Sequence, residues 1–308
     1  MNIATMRFSA LGDLAMTIPA IRSLKQKPLM VTTALGQQVL ADEVDDFILL
    51  KNKQFTEVVK LIQEIRRSEV DVLVDFQDSD RSKVIRLFSN KKVIHPGKVD
   101  RRRTHNCATE IFLDMAIHQT GGRPYDYTFS PKEKSYIVLH PGSSEKWESK
   151  RLPVKKWQEF GKVLWERYSL SFMITGTESE KDYCESVKKV LAGRSYNMAG
   201  KFSISELRSL LDHAFLTVST DSGPMHLSAV LKTPTIGIFG ATNWKYFAPF
   251  GPWSVALHDE VFFKSQLPPL KNLTCTDGAY DNICLEPALA QLAPYLEGTR
   301  NGVSAVTA

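Results

Sequence analysis

Ser219-Thr220-Asp221-Ser222-Gly223-Pro224-Met225-His226 follows directly on the apolar, β-branched run Phe215-Leu216-Thr217-Val218. That junction decides the fold. The run reads as a buried parallel strand. Pro224 suits the first turn of a helix, where its missing N–H costs nothing. Asp221 or Ser222 can cap that helix, and Gly223 lets a ligand or another chain segment approach the backbone closely. Met225, Leu227, Ala229, Val230 and Leu231 continue it as far as Lys232-Thr233-Pro234. Strand, tight polar turn and helix N-terminus together make an anion site, with free N–H groups and the positive end of the helix dipole facing a phosphate. An isolated Asp-Ser-Gly-Pro would be an ordinary β–α turn. Here it has company.

The chain of 308 residues has room for two domains of ordinary size. Its composition is globular, without low-complexity tracts or a solenoid period. No apolar run approaches the ~20 residues needed to cross a bilayer, and the first residues lack the order of a signal peptide. Cys107, Cys184, Cys275 and Cys284 form no C-x-x-C pair, so a reduced, cytoplasmic protein is the simplest reading. Cys275 and Cys284 could share a metal or a disulfide, but no His or third Cys supports a metal site.

The net charge of +5 is uneven. Residues 81–103 hold Arg81, Lys83, Arg86, Lys91, Lys92, Lys98, Arg101, Arg102 and Arg103 against Asp100 alone, which is +8 and leaves −3 for the rest. Such a field draws anionic partners, or is simply a solvated basic loop. Nucleic acid is disfavoured, because Phe88 is the segment's only aromatic and no stacking platform exists.

Strands and helices alternate along the whole chain. Strands are expected at 3–8, 29–33, 46–50, 70–75 and 92–95, with helices over 14–24, 55–67 and 104–119. Gly121-Gly122-Arg123-Pro124 breaks the pattern, and the polar stretch 131–134 reads as a linker and hinge. A second series starts at Tyr136, with helices over 154–168, 180–191 and 205–212, and strands at 170–175, near Tyr196, at 215–218 and at 235–239. This is an α/β chain of two doubly wound domains, 1–132 and 133–308, with ligands expected in a cleft between them, outside the carboxyl ends of the strands. The tail over 286–297 has helical spacing and is expected to pack back across the junction.

The loops at those strand ends carry the polar residues. Arg7-Phe8-Ser9-Ala10-Leu11-Gly12-Asp13 leads from strand to helix, and Asp13 is either a helix cap or a carboxylate placed to take a proton from a hydroxyl. No G-x-G-x-x-G follows this strand, which argues against a nicotinamide or flavin enzyme. His140-Pro141-Gly142-Ser143-Ser144, with Lys150-Arg151-Leu152-Pro153 after it, makes a diphosphate clamp or ordinary solvent-facing charge. Thr175-Gly176 with Glu180 places a carboxylate suited to ribose hydroxyls, or to helix capping. Phe239-Gly240-Ala241-Thr242-Asn243-Trp244 ends another strand.

Together with Asp75-Phe76-Gln77, Arg81-Ser82 and Ala199-Gly200, these motifs and their order resemble glycosyltransferase family 9, the ADP-heptose:lipopolysaccharide heptosyltransferases, from about residue 3 to about residue 252. The resemblance implies a GT-B fold, with two Rossmann-like domains facing a central cleft. The acceptor would bind the N-terminal domain, and the nucleotide sugar, as donor rather than cofactor, the C-terminal one. It implies an inverting transfer that needs no metal, with Asp13 as general base. Ser143, Ser144 and Lys150 would lie near the diphosphate, with Ser222, Gly223 and His226 contributing from the helix start. Asp221 would hold the donor sugar and Glu180 the ribose. Arg81, Lys83 and Arg101 are the acceptor-binding choices, facing an anionic glycolipid at the cytoplasmic face of the inner membrane, with peripheral membrane contact. Ala241 departs from the family's usual proline, and the family's C-terminal cysteine-rich region is reduced to Cys275 and Cys284. Alternatives are a member using another nucleotide sugar, a GT-B nucleotide-sugar 2-epimerase, and a non-catalytic nucleotide- or glycan-binding protein. The basic segment speaks against the epimerase, and Asp13 against the last.

Overall fold

The computed structural model describes residues 1–97, 107–143, 145–265 and 278–297. They divide into two compact units, the first holding the described residues up to Asp126 and the second those from Tyr127 onward.

In the first unit, β1 (Ile3–Met6), β2 (Leu29–Thr32), β3 (Phe47–Leu49), β4 (Val72–Asp75) and β5 (Lys92–Ile94) form a fully parallel sheet in the order β3-β2-β1-β4-β5. The chain winds outward from β1 to β3, then returns to the other side of β1. The order therefore reverses between β1 and β4, the place where sheets of this kind bind ligands beyond the carboxyl ends of their strands. Strand residues such as Ala4, Met6, Val31 and Leu73 fill the core against Val58, Leu61, Ile62 and Ile65 of the helix Phe55–Arg67. Those four positions repeat at three- and four-residue spacing, which lays one apolar stripe on the sheet.

The helix expected over 14–24 is two helices, Leu11–Ala15 and Ile18–Ser23. Pro19 cannot donate to a preceding turn and its ring excludes the carbonyl four residues back. Thr17 closes the first helix instead, donating its hydroxyl to the Leu14 carbonyl at 2.7 Å. Between 104 and 119, the described helix is Ala108–Asp114, running into a wider π-helical turn over Met115–Gln119. A helix absent from the sequence reading, Asp80–Phe88, lies within the basic segment and is capped by Ser79, whose hydroxyl accepts from the Ser82 amide at 3.3 Å.

The second unit repeats the design. Its strands are β6 (Tyr136–His140), β7 (Ser171–Ile174), β8 (Ser195–Asn197), β9 (Leu216–Thr220), β10 (Thr235–Phe239) and β11 (Ser254–His258). All are parallel, in the order β11-β10-β9-β6-β7-β8, so the reversal falls between β6 and β9. His140 registers with Ser219, so the loops after them leave the sheet side by side. Trp157, Phe160 and Leu164 of the helix Val154–Tyr168 and Leu289, Leu292 and Leu296 of the helix Glu286–Leu296 belong to this unit's core. The stretch 131–134 is tied to the same unit, where Lys132 pairs with Asp212 at 2.8 Å. Each sheet is a doubly wound, Rossmann-like parallel sheet.

Candidate functional site

In the first unit, the loop after β1 is organised by a buried cation. Arg7 donates from Nε to the Ser9 carbonyl at 3.3 Å and from Nη1 to the Phe76 carbonyl. Its Nη2 reaches Asp13 Oδ1 at 2.6 Å. Across the strand reversal, Gln77 Oε1 accepts from the Phe8 amide at 2.9 Å. The planar guanidinium thus binds three acceptors at once, a task its fork geometry suits and an ammonium could not copy. Asp13 Oδ2 accepts from the Ala10 amide at 3.0 Å, so Asp13 does cap its short helix. Capping does not exhaust it. The side chain stays 28% exposed, and each oxygen keeps lone-pair capacity beyond its single bond.

Asp75, at the end of β4, is fully buried. Burial pushes its carboxyl above the usual range, although the Gln77 and Asp78 amides donate to Oδ1 at 2.8 and 3.2 Å and Arg86 sits 3.2 Å from Oδ2. Its task is to fold the β4 loop. Arg81 is half-buried at the start of the following helix, at the same sheet edge as Asp13, and Lys83 is exposed and paired with Asp80 at 3.1 Å. Arg101 lies outside the described residues.

In the second unit, the sequence-selected residues gather at the β6/β9 reversal. Thr220 donates its hydroxyl to the Gly142 carbonyl and binds the two loops together. Lys150 Nζ donates to Asp221 Oδ2 at 2.8 Å and to the Asp221 carbonyl at 3.2 Å. Thr242 donates to the same Oδ2 at 2.6 Å, and His226 Nε2 lies 3.8 Å from Oδ1. Burial by itself would raise the Asp221 carboxyl. The adjacent Lys150 ammonium and His226 imidazole outweigh it and hold the group well below the usual carboxylate range. Lys150 also lies over the Trp147 ring, 5.1 Å from its centroid.

Ser222 is the N-cap of the helix Gly223–Val230, but its hydroxyl makes no capping bond and instead meets Ser219 Oγ at 3.0 Å. The first-turn amides of that helix have no carbonyl of their own to bind. Ser143 donates to the Trp147 carbonyl at 2.8 Å, and Ser144 lies outside the described residues. Glu180 is buried, with Oε2 accepting from the Thr177 amide at 2.7 Å and the Thr177 hydroxyl at 2.8 Å. Its carboxylate lies where a Cβ on residue 142 would stand, so a side chain there would have to displace it. Burial lowers the His140 imidazole to about 4, and Nδ1 sits 3.0 Å from the Thr175 hydroxyl. The same environment, with Glu180 adding to it, pushes Cys184 up to about 12, an inert packed thiol.

Sequence reasoning quoted Arg7 and Thr242 inside their motifs without assigning them a task. Their signal was position, each in a loop at a strand's carboxyl end. Among the described residues, no group of three or more His, Cys, Asp or Glu is arranged to hold a metal ion, and Cys275 lies outside them.

Two parallel sheets, each with its polar loops at its reversal point, match a known pattern. The family profile described as glycosyltransferase family 9 (heptosyltransferase) matches residues 104–266, more than half of the chain. The chain belongs to glycosyltransferase family 9. This family 9 glycosyltransferase is 24% identical over 296 residues to lipopolysaccharide heptosyltransferase 3 of Escherichia coli, covering 80% of this chain and 84% of that one. It is 23% identical over 291 residues to lipooligosaccharide heptosyltransferase 2 of Campylobacter jejuni, covering 86% of this chain and 89% of that one. Among solved structures, E. coli ADP-heptose lps heptosyltransferase II superposes with a TM-score of 0.68 at 18% identity, covering 96% of this chain and 99% of that one. At that identity the likeness speaks for the fold.

Proposed function

We propose that this glycosyltransferase moves a heptose from ADP-heptose to a lipopolysaccharide-core acceptor, with inversion at the sugar carbon and Asp13 as general base. The observation that carries the reading is the Asp13 carboxylate, fixed by Arg7 and the Ala10 amide yet open to an incoming hydroxyl. The donor follows from the relatives, whose names specify heptose transfer and, for the E. coli structure, ADP-heptose. The acceptor hydroxyl attacks the sugar C1 as Asp13 takes its proton, and the C1–O bond to the diphosphate breaks on the opposite side. Negative charge then grows on the departing ADP. Lys150, Ser143, Ser144 and the first turn of the helix Gly223–Val230 stabilise it, so the step runs without a metal ion. Ser222, Gly223 and His226 line that helix start, Asp221 steers the sugar, and Glu180 takes the ribose hydroxyls. Arg81, Lys83 and Arg101 meet the anionic groups of the acceptor.

Asp13→Asn tests the base directly. Turnover should fall by about 10²–10⁴, while calorimetric ADP affinity stays within about twofold because the nucleotide groups are untouched. Unchanged turnover removes Asp13 from the mechanism. Titration with ADP, GDP and UDP side by side tests the donor, and preference for GDP or UDP moves the enzyme to another glycan.

A further inference from the structure

Gln77 is half-buried in the loop after β4, and it is held at both ends. Its backbone N–H donates to Asp75 Oδ1 at 2.8 Å, and its side-chain Oε1 accepts from the Phe8 amide at 2.9 Å. Phe8 is fixed from its other side as well, where Thr33, just after β2, donates its hydroxyl to the Phe8 carbonyl at 2.8 Å. Only the oxygen of a carboxamide can accept from an N–H, so the Phe8 bond settles which way the Gln77 amide is turned. The Nε2 amino group is left with two donors, and neither meets an acceptor among the described residues. The fold uses the oxygen and leaves the nitrogen idle. Had the position needed only an acceptor for the Phe8 N–H, a carboxylate would bind it roughly twice as strongly.

This idle donor belongs to the same small constellation as Asp13. Arg7 donates from Nη1 to the Phe76 carbonyl and from Nη2 to Asp13 Oδ1. The peptide leading into Gln77 and the Asp13 carboxylate therefore sit on neighbouring nitrogens of one guanidinium. Phe8, which holds the Gln77 oxygen, precedes Asp13 in the loop after β1. Near a carboxylate open to an incoming hydroxyl, a fixed N–H donor can take a second oxygen of the same molecule. The chemistry that fits is a pair of neighbouring oxygens on one sugar ring, the attacking hydroxyl on Asp13 and an adjacent oxygen on Gln77. A single contact leaves a sugar free to pivot about that hydroxyl. Two contacts fix which hydroxyl faces the base.

Resting on the reading of Asp13 as general base, we propose that Gln77 binds the acceptor sugar. Its Nε2 donates to an oxygen next to the attacking hydroxyl and so selects the position that receives the transferred sugar. Arg81 and Lys83 would attract an anionic acceptor through charge, whereas a neutral amide reads its hydroxyls.

The test is transfer from ADP-heptose to purified lipopolysaccharide cores truncated at successive sugars, by the parent, Gln77→Glu and Gln77→Met. Glu keeps an acceptor for the Phe8 N–H but offers the sugar no donor, and Met is neutral and also offers none. Losing one hydrogen bond to the substrate should raise the acceptor KM ~10-fold in both variants. The KM for ADP-heptose and the calorimetric ADP affinity should stay at the parental level, and Gln77→Glu should melt like the parent. A residue that only ties the loops together would give a parental acceptor KM in Gln77→Glu and a defect, with a lowered melting temperature, in Gln77→Met. A residue felt only through charge would give the defect in Gln77→Glu and not in Gln77→Met. Either pattern overturns the proposal, as does a parental acceptor KM in both variants. Transfer by the parent to none of the cores overturns the proposed function, and this assignment with it.

Discussion

Lys150 has two tasks that a single substitution cannot separate. In the structure its ammonium is committed to Asp221, and in the proposed reaction it stabilises the departing diphosphate. The Lys150 side chain is only 17% exposed and that of Asp221 5%, so their pairing is little screened by water. Removing one partner of a buried pair leaves the other uncompensated, typically at a cost of 3–5 kcal/mol. Thr242 still donates to Asp221 in Lys150→Met, so the lower end applies, about 3 kcal/mol. For a unit of this size that corresponds to a fall of ~6–12 °C in its melting transition. Asp221→Asn in the same chain removes the charge that Lys150 had balanced, and the double variant should recover most of the loss. ADP affinity should behave differently. It should fall in Lys150→Met and stay low in the double variant, because no cation returns to the diphosphate. Differential scanning calorimetry with and without ADP reads both quantities. A single variant melting within about 2 °C of the parent would show that the pair does not hold Asp221. Recovery of ADP affinity along with stability would make Lys150 purely structural.

Three further substitutions probe the remaining contacts. Arg7→Lys keeps the charge but loses the fork that holds Ser9, Phe76 and Asp13, so kcat should drop at least ~10-fold with donor KM and ADP binding unchanged; an unchanged kcat removes Arg7 as a positioning residue. His140 is neutral when folded, at about 4, and protonates near 6.5 when unfolded, so its contribution is intact above ~6.5 and lost as pH falls toward 4. The difference is worth about 3 kcal/mol, and His140→Asn, melted across that window, should lose less stability on acidification than the parent; parallel curves would refute it. Gly142→Ala puts a methyl onto the Glu180 carboxylate and should weaken ADP binding ~10-fold while the first unit's melting is unchanged. Normal ADP affinity in that variant would separate Glu180 from the nucleotide.

Periodicity made the regular elements legible. The helices Phe55–Arg67 and Val154–Tyr168 and the strand Thr235–Phe239 lie where the spacing of apolar residues put them, because each presents one apolar face or a continuous buried run. Asp80–Phe88 escaped because the core claims only its Ser82 and Ile85, and its remaining apolar residues interrupt any clean stripe. Ser254–His258 escaped as a half-buried edge strand with no strict alternation. The motifs fall in loops that follow strands, since such loops can be recognised locally. Pairing could not be read the same way. Lys150 and Asp221 are 71 positions apart, and only the β6–β9 register brings them together. Arg7 and Phe76 meet across β1 and β4 for the same reason.

That shared cause explains why each unit places an ion pair just past its reversal strand, and why the two pairs cannot do the same work. In the first, Arg7 takes one oxygen of Asp13 and the Ala10 amide the other, which leaves an oriented carboxylate more than a quarter exposed. In the second, Lys150 and Thr242 converge on one oxygen of Asp221 and His226 faces the other, with the whole group buried. A carboxylate buried there and held below its usual range by Lys150 and His226 is a weaker base toward an incoming hydroxyl. In the structure it is a buried negative charge bonded to Lys150 and Thr242. Of the aspartates at the strand reversals, Asp75 and Asp221 are buried, and only Asp13 has both the access and the free lone pairs that a base requires. The assignment of proton transfer to the first unit and of leaving-group stabilisation to the second rests on that difference in burial.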